Sequence, residues 1–385
     1  ASNFEDDLMQ MQASGLPLLP DDHSDTPEGA TYLASSSEDS VARLVGSGLI
    51  GQAGDIDVFR FHSGAGSYSI EVSPLGSPAN LDVPDLQLDI RDARAKHFNG
   101  FDAVIHLAAL SNDGLANYDP DVTCEINQTA SIRLATLAKD AGVRRFIFSS
   151  SCSIYGKAGD DLVAETANID VITPYTKSKA NVEHEVSKLA SDDFSPTYMR
   201  NATAYGLSPC HSFELVLNNL VAWAHAKGLV YIKSDGSPWR PTVHIEDISR
   251  AFLAALNVPR EKVHDEAFNV GRTEENYSIR ELAEVVRDVV VGSRVEYAPD
   301  GQPDARSYKV DFSKIQRLLP DYKPEWDVRR GAEQMYAAYR RAGIVIDDIE
   351  GPRFKRIEHL KQLMASGELD SSLRWTAAAP AKEVV

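Results

Sequence analysis

The chain has 385 residues, with 39 Lys and Arg against 57 Asp and Glu and a formal net charge of −18. That length allows two or three domains around a large core. The acidic surplus argues against a nucleic-acid partner, because no basic excess exists to neutralise phosphates. No apolar run has the length of a membrane span, and no basic-then-apolar signal opens the chain, so no membrane partner is expected. Cys124, Cys152 and Cys210 are too few and too widely spaced for a disulfide framework or a zinc site, so no metal is expected. Cys152 is read as a small packed residue.

Residues 1–30 are acidic and turn-rich and read as irregular. Gly46-Ser47-Gly48-Leu49-Ile50-Gly51 matches Gly-x-Gly-x-x-Gly, but a dinucleotide loop must lie between a buried strand and a helix. Here strand-like Ile56–Phe61 follows, then a Ser63–Ser67 turn and the period-two run Tyr68–Val72. The glycines are therefore read as turns between strands, and residues 1–84 as a β-rich segment. Asp55–Phe61, the Gly64-Ala65-Gly66 turn and Val72-Ser73-Pro74 resemble part of the β-sandwich domains found C-terminal to secreted bacterial peptidases.

From Asp85 the pattern changes. Leu86–Asp92 reads as a short strand followed by polar residues. Phe101–Ala109 is nearly continuous in apolar residues, as a strand buried on both faces should be, and ends in small residues that let a ligand approach. His106 within it reads as a satisfied core histidine. Ile126 to Ala141 reads as a helix stopped by Gly142. Arg145–Ser151 is a second buried strand, Phe146-Ile147-Phe148 running into Ser149-Ser150-Ser151. After a loop, Pro174 opens a helix that continues from Ala180 to Leu189. The alternation of strand and helix is the doubly wound pattern.

Tyr175 and Lys179 are four apart, so on that helix they share a face. A serine at a strand end, a tyrosine and a lysine can build a proton-transfer site. The ammonium favours the tyrosinate, and the serine hydroxyl can hold the substrate oxygen whose proton moves.

The serine cluster, Ile154-Tyr155-Gly156 and Tyr175-x-x-x-Lys179 together resemble the extended short-chain dehydrogenases/reductases, the NAD-dependent nucleotide-sugar epimerase/dehydratase family, over about residues 85–350. The resemblance implies an α/β Rossmann-like doubly wound parallel sheet with a smaller α/β substrate domain. The core would span residues 85–205 and the substrate-binding region residues 206–350, with a C-terminal helix and tail at 351–385. It implies catalytic Ser151, Tyr175 and Lys179. Cofactor contacts fall on Asp89, Ile90, Leu107, Ala108, Ala109 and Asn127, besides Tyr175 and Lys179. Tyr198–Gly206 matches an Arg-x-x-Asn-x-Tyr-Gly stretch in which Thr203 replaces the asparagine and Asn201 is its substitute. Asn201, Asn219 and Arg240 are the implied substrate contacts, Arg240 for a phosphate. His244 and Asp247, in the same motif as Arg240, are expected to fix the fold.

The implied reaction is hydride transfer on a nucleotide sugar with NAD or NADP, as an epimerase or keto-reductase. Dehydratases of the family carry Asp-Glu after the site hydroxyl; Cys152-Ser153 stand there, which disfavours water elimination. The family's opening strand, glycine-rich loop and first helix have no match upstream of Asp89, so the sheet is expected to be N-terminally incomplete. Two alternatives therefore stay open: a catalytically impaired fusion without cofactor binding, and a β-rich binding module. The reductase part implies a cytoplasmic location, the β-rich segment hints at a secreted origin, and a homodimer is left open.

Overall fold

The structure is a computed structural model that describes residues 89–111, 113–208, 211–299, 306–352 and 354–376, together with four short strands nearer the start. The chain divides into two units, Ala1–Gln87 with Arg341–Gly343, and Leu88–Arg340 with Ile344–Val385. In the smaller unit Thr31–Tyr32 pairs in parallel with Phe59–Arg60, and Ala34–Ser36 pairs antiparallel with Arg43–Val45. The glycine stretch Gly46–Gly51, the run Tyr68–Val72 and the change of pattern near Pro84 lie outside the described residues.

In the larger unit the strands are β1 (Ala103–His106), β2 (Arg145–Ser151), β3 (Lys157–Val163), β4 (Ser195–Asn201), β5 (Thr203–Tyr205), β6 (Leu229–Ile232), β7 (Trp239–His244), β8 (Glu266–Val270), β9 (Asn276–Ser278), β10 (Arg294–Tyr297) and β11 (Ser307–Val310). The principal helices are α1 (Ser131–Asp140), α2 (Pro174–Ser187), α3 (Val216–Lys227), α4 (Ile245–Asn257), α5 (Ile279–Val289), α6 (Val328–Ala342) and α7 (Arg356–Ala365). The central sheet has the order β8-β4-β2-β1, and every pairing in it is parallel.

Side chains alternate across this sheet, and both faces are covered. Phe146, Phe148 and Tyr198 pack under α1 and α2 against Leu134, Ala135, Val182 and Val186. Ile147, Met199 and Phe268 pack on the other face against Ala251, Phe252 and Ala255 of α4. Burial on both faces is why β2 reads as an unbroken apolar run. A second group of small sheets holds β5-β7-β9, β6-β10 and β3-β11.

β1 forms one edge of the central sheet. Among the described residues nothing pairs with its outer side, and Phe101, Ile105 and Leu107 are 56%, 38% and 61% exposed, so this strand is not buried on both faces as its apolar run suggested.

Three elements differ from the sequence reading. Ile90–Asp92 is a 3-10 turn capped by the Asp89 carboxylate, which accepts the Arg91 amide, and not a strand end. The regular strand within Phe101–Ala109 is confined to Ala103–His106. The helix expected from Ile126 is π-helical over Cys124–Ala130 before α1 begins. The wider turn carries Asn127, whose buried side chain accepts from the Leu110 amide at 2.8 Å and donates to the Leu110 carbonyl at 3.0 Å.

Candidate active site

α2 begins where it does because Thr173 and Thr176 cap each other. The Thr173 hydroxyl accepts the Thr176 amide at 3.2 Å, and the Thr176 hydroxyl accepts the Thr173 amide at 3.0 Å. Pro174, with no amide proton, takes the first helical position. Tyr175 then stands half-buried in the first turn, and Lys179, one turn on, is buried.

The Lys179 ammonium donates to the Ser149 carbonyl at 2.6 Å, which ties α2 to the carboxyl end of β2. It lies 4.6 Å from the centroid of the Phe148 ring and 5.7 Å from that of Tyr175. Burial brings its pKa down to about 7, with the Glu183 carboxylate pulling the other way.

Ser151 is the last residue of β2. Its hydroxyl lies 2.8 Å from that of Ser153 and accepts the Ser153 amide at 3.2 Å. Gly156 ends the turn that follows, with φ at 61°, and a Cβ there would lie 2.2 Å from the Asp170 carbonyl oxygen.

Asn201 sits opposite Ser151 in the β2–β4 register. Its amide nitrogen donates to the Ser149 hydroxyl at 3.1 Å and to the Ser150 carbonyl at 3.2 Å. Its Oδ1 is buried with no protein partner, an acceptor next to the serine hydroxyls.

The other residues singled out from the sequence are placed as follows. Leu107, Ala108 and Ala109 follow β1, the first two exposed, and Asn127 holds the next residue, Leu110. Asp89 is engaged by Arg91 at 2.6 Å. Partial burial opposes its ionisation, but the Arg91 hydrogen bonds prevail and its pKa falls. Ile90 is half-buried beside it. Arg91 in turn donates to the Ser372 carbonyl at 2.7 Å.

Asn219 donates to the Phe213 carbonyl at 2.9 Å. Arg240 donates to the Trp239 carbonyl at 2.8 Å and to the Arg306 carbonyl, and its guanidinium lies 5.8 Å from the Tyr308 ring centroid. The segment 300–305 is outside the described residues. His244 caps α4 by accepting the Glu246 amide, and Asp247 accepts the Glu325 and Trp326 amides at 2.9 and 3.0 Å. Both therefore hold backbone together. His106 is buried, lies 2.7 Å from the Ser131 hydroxyl, and is pushed down to about 3 by burial and then by Lys179. Cys152 is fully buried, and burial pushes its thiol up.

A second network lies behind the serines and was not read from the sequence. Glu183 accepts from the Ser150 hydroxyl at 2.5 Å and from Arg200 at 2.6 Å. Arg200 also donates to the Tyr155 hydroxyl and the Glu165 carbonyl, each at 3.0 Å. The one local signal was spacing: Glu183 follows Lys179 by four, the interval that placed Lys179 after Tyr175.

Among known proteins, the sequence model of the NAD dependent epimerase/dehydratase family matches residues 63–271, starting within the segment read as β-rich. A UDP-glucuronate 4-epimerase of Thermodesulfobacterium geofontis is 27% identical over 241 residues, 60% of this chain and 70% of that protein. UDP-glucuronic acid decarboxylase 1 of Arabidopsis thaliana is also 27% identical, over 266 residues, and this match spans 65% of the chain but 57% of the plant protein. Among solved structures, MoeE5 in complex with UDP-glucose and NAD superposes with a TM-score of 0.59 at 25% identity, covering 66% of this chain and 85% of MoeE5. Among the described residues, no helix is long and apolar enough to cross a membrane.

Proposed function

The chain belongs to the NAD-dependent epimerase/dehydratase family, and from that premise we propose that it is an NAD(P)-dependent epimerase or keto-reductase of a nucleotide sugar. The observation that carries this reading is the junction of α2 with the end of β2. There Lys179 bonds to Ser149, two residues before Ser151, while its ammonium lies 5.7 Å from the Tyr175 ring centroid.

The residues present fit a nicotinamide nucleotide and a sugar. Ligands of open parallel sheets lie beyond the carboxyl ends of the strands. Here β1 is followed by the exposed Leu107 and Ala108, beside the strand β2 that ends in the serines. The orphaned Oδ1 of Asn201 offers an acceptor for a hydroxyl at that end of the sheet. The nucleotide, when bound, supplies the acceptor and donor of hydride at the sugar carbon.

The chain's own residues handle the proton. Tyr175, as phenolate, takes the proton of the sugar hydroxyl, and Ser151 orients the same oxygen. Lys179, while charged, would stabilise the phenolate across the shared helix face and would hold the nicotinamide ribose. Epimerisation returns the hydride to the opposite face of the keto sugar; keto-reduction uses only the second half of that cycle. With Cys152 buried and its thiol pushed up, no carboxylate pair follows Ser151 to eliminate water. Asp89, Ile90, Leu107, Ala108, Ala109 and Asn127 would line the nucleotide, directly or by fixing Leu110, and Asn201, Asn219 and Arg240 the sugar-nucleotide side. A cytoplasmic location goes with this reading.

The test is calorimetric titration with NAD and NADH, followed by turnover of UDP- and dTDP-sugars. Micromolar binding and measurable turnover are expected, with Tyr175→Phe slowing turnover by about 10²- to 10⁴-fold. Absence of binding at millimolar cofactor, or full turnover by Tyr175→Phe, would overturn the reading.

A further inference from the structure

One buried carboxylate near the site has no part in the proton transfer just described. Glu183 is 7% exposed and stands on α2 one turn beyond Lys179, on the same face. Its two oxygens are held from two strands: the Ser150 hydroxyl of β2 at 2.5 Å and the Arg200 guanidinium of β4 at 2.6 Å. Ser150 lies between Ser149, whose carbonyl receives the Lys179 ammonium, and Ser151. Ser151 is thus one residue from Ser150, Asn201 one residue from Arg200, and Lys179 one helical turn from Glu183 itself.

We infer that Glu183 is a positioning residue for the proposed proton-transfer site: through Ser150 it fixes the end of β2, and along α2 it supplies the countercharge to the Lys179 ammonium. A carboxylate so expensively buried fits that role. The Glu183–Arg200 pair alone could be replaced by apolar side chains at little cost in stability, but an apolar pair would remove the carboxylate that favours the charged form of Lys179 against its burial. The other titratable groups facing Lys179 cannot serve. His106 of β1 is held neutral, Tyr175 is the group to be tuned, and Arg200 is positive. The pull of Glu183 on Lys179 is upward, against burial, and it keeps part of the lysine population charged near neutral pH.

The inference rests on the proposed reading of Ser151, Tyr175 and Lys179, but its test does not need turnover. The titration of Lys179 can be followed by its 13Cε resonance in lysine-labelled protein, assigned by its loss in Lys179→Met. Glu183→Gln keeps the shape and removes the charge, and the midpoint should fall by about one pH unit or more. Ser150→Ala keeps the charge and removes the bond, and the midpoint should stay. Where the protein turns over, the alkaline limb of its pH profile should move down in Glu183→Gln by the same amount and stay in Ser150→Ala. Should the orphaned guanidinium keep Glu183→Gln from folding, Glu183→Gln with Arg200→Leu replaces it, with the same direction of shift expected. Equal midpoints in the wild type and the charge-removing variant would overturn the inference. A wild-type protein that binds no NAD overturns the proposed reaction instead, and leaves the titration to judge Glu183 on its own.

Discussion

Replacing Lys179 by methionine removes a buried ammonium while nearly keeping its volume. In the folded protein burial brings the pKa of this lysine from 10.5 down to about 7. Each pH unit of that difference corresponds to about 1.4 kcal/mol, so charging Lys179 in the fold costs roughly 5 kcal/mol relative to the unfolded chain. The sign follows from proton counting. Below about pH 7 both states hold the proton and the full penalty is present. Between about 7 and 10.5 the unfolded chain alone holds it, and stability rises with pH. Lys179→Met lacks this dependence, while other titrations largely cancel in the comparison. The variant also leaves the Ser149 carbonyl without its donor, an offset that is the same at every pH. Urea unfolding of both proteins at pH 6 and pH 9.5 should therefore show the variant's stability relative to wild type falling by about 3 kcal/mol from the lower to the higher pH. A difference that does not change with pH would refute the burial of Lys179 as the origin of its low pKa.

Three further substitutions probe the frame around the site. Asn127→Ala removes both bonds to Leu110 and should cost about 2 kcal/mol, with faster hydrogen exchange at the Leu110 amide as the local readout. Asp247→Ala strips the acceptor from the Glu325 and Trp326 amides and leaves Arg250 with only Glu325 and Glu246 as partners, so a loss of about 2 kcal/mol is expected in denaturant unfolding. Gly156→Ala puts a Cβ 2.2 Å from the Asp170 carbonyl oxygen at a φ of 61°, and should lower stability by at least about 2 kcal/mol while disturbing the turn after Ser151. Stability equal to wild type in any of the three would contradict the contact it removes or the clash it creates.

The sequence by itself determined the elements whose cause is local. Phe146-Ile147-Phe148 makes a strand wherever two faces can be covered, and Pro174 followed by a helical run sets the start of α2. From those two facts the shared face of Tyr175 and Lys179 followed by periodicity alone. Cys152 as a packed residue, and His244 and Asp247 as fixtures of the fold, were also within reach, because each sits beside a strong apolar run or a helix start. Only the tertiary structure decided which backbone atoms the polar side chains would meet. Asp89 turned Ile90–Asp92 into a 3-10 turn because Arg91 and the distant Ser372 carbonyl lock that corner. Asn127 sits in a π-helical turn that brings its amide to Leu110, and Asn219 and Arg240 meet carbonyls at Phe213, Trp239 and Arg306. Glu183 shows the division most clearly. Its place on the face of Lys179 is a matter of counting four residues, but its partners, Ser150 and Arg200, lie 33 and 17 residues away on two neighbouring strands. Spacing along one helix is written into the sequence, whereas the pairing of a buried charge is set by which strands the fold lays side by side.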